Sequence, residues 1–152
     1  MKSVRKSVLI WYSAQEMYDL VVDVERYPDF LPWCNYGKVI EHTERGMTAE
    51  VGLAFKGVKQ VFATRNEHTP GREVRLHLAK SKGPFSVLEG VWTFTPVGGA
   101  GERACRVELK LDYGFSSVLL ATLVGPVFDK IATTLVDAFV QRAQQVYGGA
   151  AA

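Results

Sequence analysis

The segment VELKLDYGFSSVLLATLVGPVFDKIATTLVDAFVQRA, from Val107 to Ala143, decides the fold. In its first part, every second residue from Val107 to Tyr113 is apolar, and charged residues lie between them, which is typical of a strand with one wet face. After Ser116-Ser117 the apolar residues become too frequent for a strand and predict a long helix. A half-wet strand followed by a long apolar helix predicts a sheet that buries one face under that helix.

The chain before this segment opens with a strand and a short helix. Lys2 to Tyr12 is rich in Val, Ile and aromatic residues, which favours a first strand. Ser13 and Glu16 then form an S-x-x-E capping box that starts a helix. The helix must end near Tyr27, because the residue before Pro28 is pushed toward an extended conformation.

From Lys38 onward the apolar period becomes two, and strands follow one another without intervening helices. The sequence therefore predicts a single α+β domain over residues 1–148, with two short helices after strand 1, a curved antiparallel sheet of about six to seven strands, and a long C-terminal helix. Residues 149–152 are predicted to be a disordered tail. The strands are separated by glycine and proline turns at Lys56-Gly57, Thr69-Pro70-Gly71, Lys82-Gly83-Pro84 and Gly98-Gly99-Ala100-Gly101.

Composition excludes several classes of protein. The chain has 152 residues, of which 47% are hydrophobic, and a formal net charge of +2, so it is long enough for one folded core and has no strongly basic footprint. No DNA partner is expected.

The apolar run VLIWY near the N-terminus is too short for a signal peptide, which favours a cytoplasmic location. Gly114 to Phe128 is uncharged, but Asp129 ends it short of the roughly 20 residues of a membrane span.

No catalytic or metal site is predicted. Cys34 and Cys105 lie far apart and have no metal-ligand spacing. The histidines at positions 42, 68 and 77 occupy different strands or turns and are expected at the surface. None of the usual nucleophile, phosphate-binding or zinc motifs occurs, so we expect that the chain is not an enzyme and has no catalytic cofactor.

The stretch YPDFLPWC, Tyr27 to Cys34, concentrates large apolar side chains between two prolines. Pro28 and Pro32 restrict the backbone in advance and lower the entropy lost on presenting those side chains. We interpret the stretch as a stiff flap that covers either the C-terminal helix or a ligand.

YPDFLPWC, the later GVWTFTP and the Val107 to Ala143 segment together resemble a known family over Val4 to Tyr147. This is the START-like group that contains the coenzyme-Q-binding proteins of respiration and the bacterial ribosome-association toxin, often labelled polyketide cyclase/dehydrase. The resemblance implies a helix-grip fold, in which the curved sheet wraps around the C-terminal helix and an apolar tunnel. It also implies non-catalytic binding of a hydrophobic molecule, namely ubiquinone or a related polyprenyl lipid, in support of respiratory electron transport.

The resemblance further implies that ligand-binding residues come from three parts of the chain. These are the flap, two strands and the long helix. The candidates are Tyr27, Pro28, Phe30, Leu31, Pro32 and Trp33 in the flap, Trp92, Phe94, Tyr113 and Phe115 near the strands, and Leu119, Leu123, Val127, Phe128, Ile131 and Leu135 on the helix.

Two alternatives stay open at the level of sequence. The toxin branch implies binding to the large ribosomal subunit and a block of subunit joining, with which the basic N-terminus is compatible. A polyketide cyclase or dehydratase would need an acid or base inside the tunnel, where the apolar phase offers chiefly Tyr113, with Gln60 or Thr64. A lipid exchanger would also make a peripheral contact with the inner membrane.

Overall fold

Seven antiparallel strands and two α-helices form the part of the chain described by a computed structural model, namely residues 1–55, 57–79, 83–99 and 103–148. As predicted, two short helices, one α-helix and one 3₁₀ helix, follow the first strand. A π-helical turn follows the long C-terminal helix. In chain order the elements are β1 (Lys2–Ile10), α1 (Ala14–Val22), the 3₁₀ helix (Val24–Asp29), β2 (Cys34–Thr43), β3 (Gly46–Phe55), β4 (Val58–Thr69), β5 (Glu73–Leu78), β6 (Phe85–Pro96), β7 (Cys105–Phe115), α2 (Val118–Ala143) and the π-helical turn (Gln144–Gly148).

All seven strands belong to one sheet in the order β1-β7-β6-β5-β4-β3-β2. β1 pairs with the last strand, β7, from Lys2 opposite Tyr113 to Ile10 opposite Cys105. The remaining strands follow one another as hairpins, as the absence of helical patterns between them predicts. The sheet curves around α2, so the predicted helix-grip architecture is confirmed.

The local patterns that predicted the elements are visible in the structure. β7 alternates between buried and more exposed positions along its whole length. At the start of α1, Ser13 Oγ accepts a hydrogen bond from the Glu16 amide at 3.0 Å. The Glu16 carboxylate accepts one from the Ser13 amide at 2.9 Å, which completes the capping box.

Three of the predicted turns contain a glycine in the left-handed region, where a side chain would be strained. Gly57, Gly71 and Gly98 have φ angles of 82°, 71° and 90°. Several residues of the predicted turns and the C-terminal tail lie outside the described residues. They are Lys56, Lys82, Ala100, Gly101 and residues 149–152.

Helix α2 is continuous past Pro126 and has one buried side from Val124 onward. Val124, Phe128, Val136 and Phe139 are buried on that side, whereas the turns before Val124 contain no buried residue. With the π-helical turn, the helix spans Val118–Gly148 and is long and apolar enough to cross a membrane by length and composition alone. A core helix meets the same criterion, and the side of α2 that faces the sheet is core.

The histidines do not all lie at the surface. His42 and His77 are exposed, but His68 is half-buried, and its Nε2 atom is buried with no hydrogen-bond partner among the described residues. The prediction is wrong for His68 because this residue lies on the inward face of β4. Its ring packs edge-on with that of Tyr18, and the two ring centroids are 6.0 Å apart. Burial lowers the pKa of His68, and the nearby His42 lowers it further.

Candidate ligand-binding cavity

A cavity lies between the concave face of the sheet, the C-terminal half of α2 and the segment from Val24 to Trp33. It offers about 90 Å³ to water-sized molecules. By this measure one water needs about 10 to 15 Å³, so the cavity has room for a ring-sized molecule and not for a long chain. Its walls are formed by Val24, Tyr27, Trp33, Ala49, Val51, Phe62, Thr64, Asn66, Leu76, Leu88, Trp92, Leu111, Phe128, Ile131, Leu135 and Phe139.

A second pocket of about 80 Å³ adjoins this cavity. It shares Trp33 and Ile131 with the cavity and is otherwise formed by Pro32, Val127, Lys130 and Thr134. Both spaces therefore border the contact between the flap and α2.

The flap is fixed to the later turns of α2. The ring centroids of Tyr27 and Phe30 lie 5.5 and 5.1 Å from that of Phe139, both in edge-on geometry. The Tyr27 hydroxyl donates a hydrogen bond to the carbonyl of Val21, and burial raises the pKa of this phenol above its usual range. The flap thus covers part of the helix and also closes one end of the cavity.

The cavity wall carries few polar groups. Thr64 and Asn66, two residues apart on β4, are only 6% and 4% exposed. The Oδ1 atom of Asn66 is buried without a hydrogen-bond partner among the described residues. Among the described residues, Tyr27 is the one titratable residue of this lining, and its hydroxyl is already engaged. The arrangement suits a mostly apolar ligand with one polar end.

The two other polar groups considered from the sequence lie elsewhere. Gln60 is half-buried and does not line the cavity. Tyr113 is buried, but its hydroxyl donates to Asp129 Oδ1 at 2.6 Å, and Asp129 also pairs with Lys2. Burial raises the pKa of Asp129, but the hydrogen bonds from Lys2 and Tyr113 lower it more, so the net direction is down. Burial, with the hydrogen bond to Asp129, raises the pKa of Tyr113 above its usual range.

Six of the predicted ligand-binding residues line the cavity, and two more line the adjoining pocket. Contact with a ligand stays a prediction for all eight. They are Tyr27, Trp33, Trp92, Phe128, Ile131 and Leu135 in the cavity, and Pro32 and Val127 in the adjoining pocket.

The other predicted residues lie away from the cavity. Leu31 and Phe94 are buried in the core, whereas Phe30 packs on Phe139. Leu119 and Leu123 are 67% and 53% exposed, because they lie in the first turns of α2, before Val124, the first buried residue of that helix. The remaining three do not line the cavity either: Pro28 is exposed, and Tyr113 and Phe115 border a surface cleft near Met1.

Much of the lining was missed from the sequence. Asn66, Leu76 and Leu111 line the cavity from β4, β5 and β7. The alternation along each strand places these three residues on its inward face, so this signal could have identified them as candidates. What the sequence does not reveal is how far along each strand the cavity extends, because that depends on where α2 crosses the sheet.

No group of three or more His, Cys, Asp or Glu side chains suited to a metal ion occurs among residues 1–55, 57–79, 83–99 and 103–148. Cys34 and Cys105 are both buried and free.

Comparison with known proteins places the chain in a wide family. Residues 10–140 match the family described as "Polyketide cyclase / dehydrase and lipid transport". The chain is 43% identical over 145 residues to the ribosome association toxin RatA of Pseudomonas aeruginosa, covering 95% of this chain and 97% of that protein. It is 32% identical over 144 residues to the mitochondrial coenzyme Q-binding protein COQ10 homolog B of Xenopus laevis, covering 94% of this chain and 58% of that protein.

Solved structures share the fold. A START superfamily protein from Mycobacterium smegmatis superimposes with a TM-score of 0.78 at 19% sequence identity, over 95% of this chain and 98% of that one. At this identity the likeness concerns the fold alone.

Proposed function

Since the chain belongs to the polyketide cyclase / dehydrase and lipid transport family, we propose that it is a non-catalytic binding protein with two partners. The first is a hydrophobic small molecule held in the cavity, and the second is the large ribosomal subunit. The observation that carries the first partner is the cavity itself, whose lining is apolar except for Tyr27, Thr64 and Asn66.

The hydrophobic partner is a ring-bearing lipid, with ubiquinone as the first candidate. The cavity has the size of a ring, and Trp33 and Ile131 line both it and the adjoining pocket. A quinone ring would occupy the cavity, and its isoprenoid chain would leave through that pocket. The coenzyme Q-binding relative supports this choice. Loading would require contact with the inner membrane, where quinones reside.

Leu135 and Leu123 provide a matched test of ligand binding. Both are leucines of α2, but Leu135 lines the cavity and Leu123 is exposed. Leu135→Trp should fill the cavity and reduce co-purifying quinone at least several-fold in mass spectrometry, whereas Leu123→Trp should leave the amount unchanged. Equal amounts of quinone in the two variants, or none in the unaltered protein across a broad lipid panel, would count against this site.

Binding of decylubiquinone should also change the fluorescence of Trp33, which lines both the cavity and the adjoining pocket. Trp92 lines the cavity too, so the response of the unaltered protein should be compared with that of Trp33→Phe. If both proteins respond equally, the flap does not contact the quinone.

The ribosomal partner is supported by the relatives that match over nearly their whole length. The RatA protein of Pseudomonas aeruginosa is aligned over 97% of its sequence, against 58% for the coenzyme Q-binding relative. We therefore infer a cytoplasmic protein that binds the large subunit and hinders its joining to the small one.

Sucrose-gradient sedimentation tests this partner. Added protein should move with the large subunit, the fraction of joined ribosomes should fall, and raising the salt concentration should weaken the association if rRNA phosphates are contacted. Protein that stays at the top of the gradient at low salt would refute the ribosomal role. Running Leu135→Trp in the same gradients shows whether the two partners depend on each other.

A further inference from the structure

Asn66 places an amide in a cavity wall whose described residues are otherwise apolar except for Tyr27 and Thr64. It lies on β4 between Met47 of β3 and Leu76 of β5 in the register of the sheet. Its side chain has the inward phase, is 4% exposed and lines the cavity. Its Oδ1 atom has no hydrogen-bond partner among the described residues.

An unpartnered buried amide oxygen is costly. Leaving such an acceptor without a hydrogen bond destabilises the folded state, and most buried polar groups in proteins are paired. Asn66 is part of the cavity lining, so a ligand held there lies beside its side chain, and the hydroxyl of Tyr27 is already used by Val21. A ligand group that donates a hydrogen bond would therefore be favoured at Asn66 over an apolar group of the same size.

We propose that Asn66 determines the specificity of the cavity by accepting a hydrogen bond from a hydroxyl group on the ring of the hydrophobic ligand. This proposal rests on the proposed binding of a hydrophobic molecule in the cavity and adds the chemical class of its polar end, a phenol or hydroquinone. For the ubiquinone candidate it selects the reduced form, because the oxidised ring carries acceptors and no hydroxyl donor. The apolar remainder of the ring packs against Phe128 and Trp92.

The experiment compares two probes of equal shape, 4-propylphenol and 4-propyltoluene, which differ by a hydroxyl in place of a methyl group. Binding is measured by isothermal titration calorimetry to the full chain and to Asn66→Leu, which removes the amide at similar volume. The unaltered protein should bind the phenol more tightly than the toluene, and Asn66→Leu should reduce this preference by about 5- to 10-fold, the usual effect of one hydrogen bond.

Asn35→Leu is the matched control, since Asn35 is exposed and outside the cavity lining. It should keep the preference for the phenol. Circular dichroism and the urea midpoint report folding, and Asn66→Leu should be at least as stable as the unaltered protein, because it removes an unpaired polar atom.

The outcomes separate the two proposals. If both probes bind and the preference for the phenol is the same in the unaltered protein and in Asn66→Leu, the role of Asn66 is overturned while binding in the cavity stands. If neither probe binds the unaltered protein, both proposals fall. Loss of the preference in Asn66→Leu alone supports the role of Asn66.

Discussion

Glu16 joins three parts of the chain. Its carboxylate caps the start of α1 and also accepts two hydrogen bonds from the Arg103 guanidinium just before β7, while its carbonyl accepts one from the Tyr147 hydroxyl at 3.0 Å. The hydrogen bond from Arg103 is the main reason that the pKa of Glu16 falls from 4.5 to about 2.

Acid should remove the stabilisation that Glu16 provides. Because folding lowers its pKa, this stabilisation is fully present above about pH 4.5 and is lost as the pH falls toward 2. Glu16→Gln should therefore unfold at lower urea concentration than the unaltered protein at pH 6, and the difference should shrink on acidification. Arg103→Gln should show the same behaviour. A difference that stays constant down to pH 3 would contradict the pairing.

His68 should make stability depend on pH in the neutral range. Burial lowers the pKa of His68 in the folded state, so the unfolded chain binds a proton more readily. The protein should lose stability as the pH falls below about 6.5, and His68→Gln should lose less. Urea unfolding at pH 7.5 and 5.5 measures both. The exposed His77 offers a control, and a His77→Gln variant that flattened the dependence equally would argue against His68.

Among the structural elements, the 3₁₀ helix that leads into the flap makes a close backbone approach to β2. Gly37 of β2 lies against the 3₁₀ helix, and a Cβ atom placed on it would lie 2.2 Å from the carbonyl oxygen of Val24. Both backbones would have to separate to admit a methyl group. Since Val24 also lines the cavity, the approach at Gly37 positions one wall of the site.

Gly37→Ala should destabilise the protein by about 1 to 3 kcal/mol, the usual cost of overpacking. It should also weaken quinone binding by displacing Val24. Urea unfolding and the quinone titration measure the two effects. Gly99→Ala is the control, because no atom of the described residues lies within 4 Å of a Cβ at Gly99, and it should change stability by less than about 0.5 kcal/mol. Equal stability of the two variants would refute the close approach.

The elements could be predicted from the sequence because each has a local signal. The capping box at Ser13 and the alternation of β7 depend only on neighbouring residues, and both are observed. Site residues on α2 were harder to predict, because apolar residues occur on more than one side of the helix and, from Val118 to Phe128, only Thr122 is polar. Leu123 and Leu135 look alike in the sequence, and only the crossing of α2 over the sheet places one outside and the other at the cavity.

At the scale of the whole molecule, an aromatic cluster holds the long helix on the sheet beside the cavity. The ring centroid of Phe128 lies 4.8 Å from that of Phe85 in β6, 4.7 Å from that of Tyr113 in β7 and 6.5 Å from that of Phe62 in β4. One side chain of α2 thus contacts three strands. It also forms part of the cavity wall, so packing of the core and the shape of the site depend on the same ring.

Phe128→Ala should therefore cost about 3 to 5 kcal/mol of unfolding free energy, the usual range for removing a buried phenylalanine. Leu119→Ala, on the exposed side of the same helix, should change it by less than about 0.5 kcal/mol. Urea unfolding measures the free energy of unfolding of both variants. Because the lost ring enlarges the cavity, adding 4-propylphenol should restore part of the stability of Phe128→Ala. A cost below 1 kcal/mol would mean that the aromatic cluster does not hold α2 against the sheet.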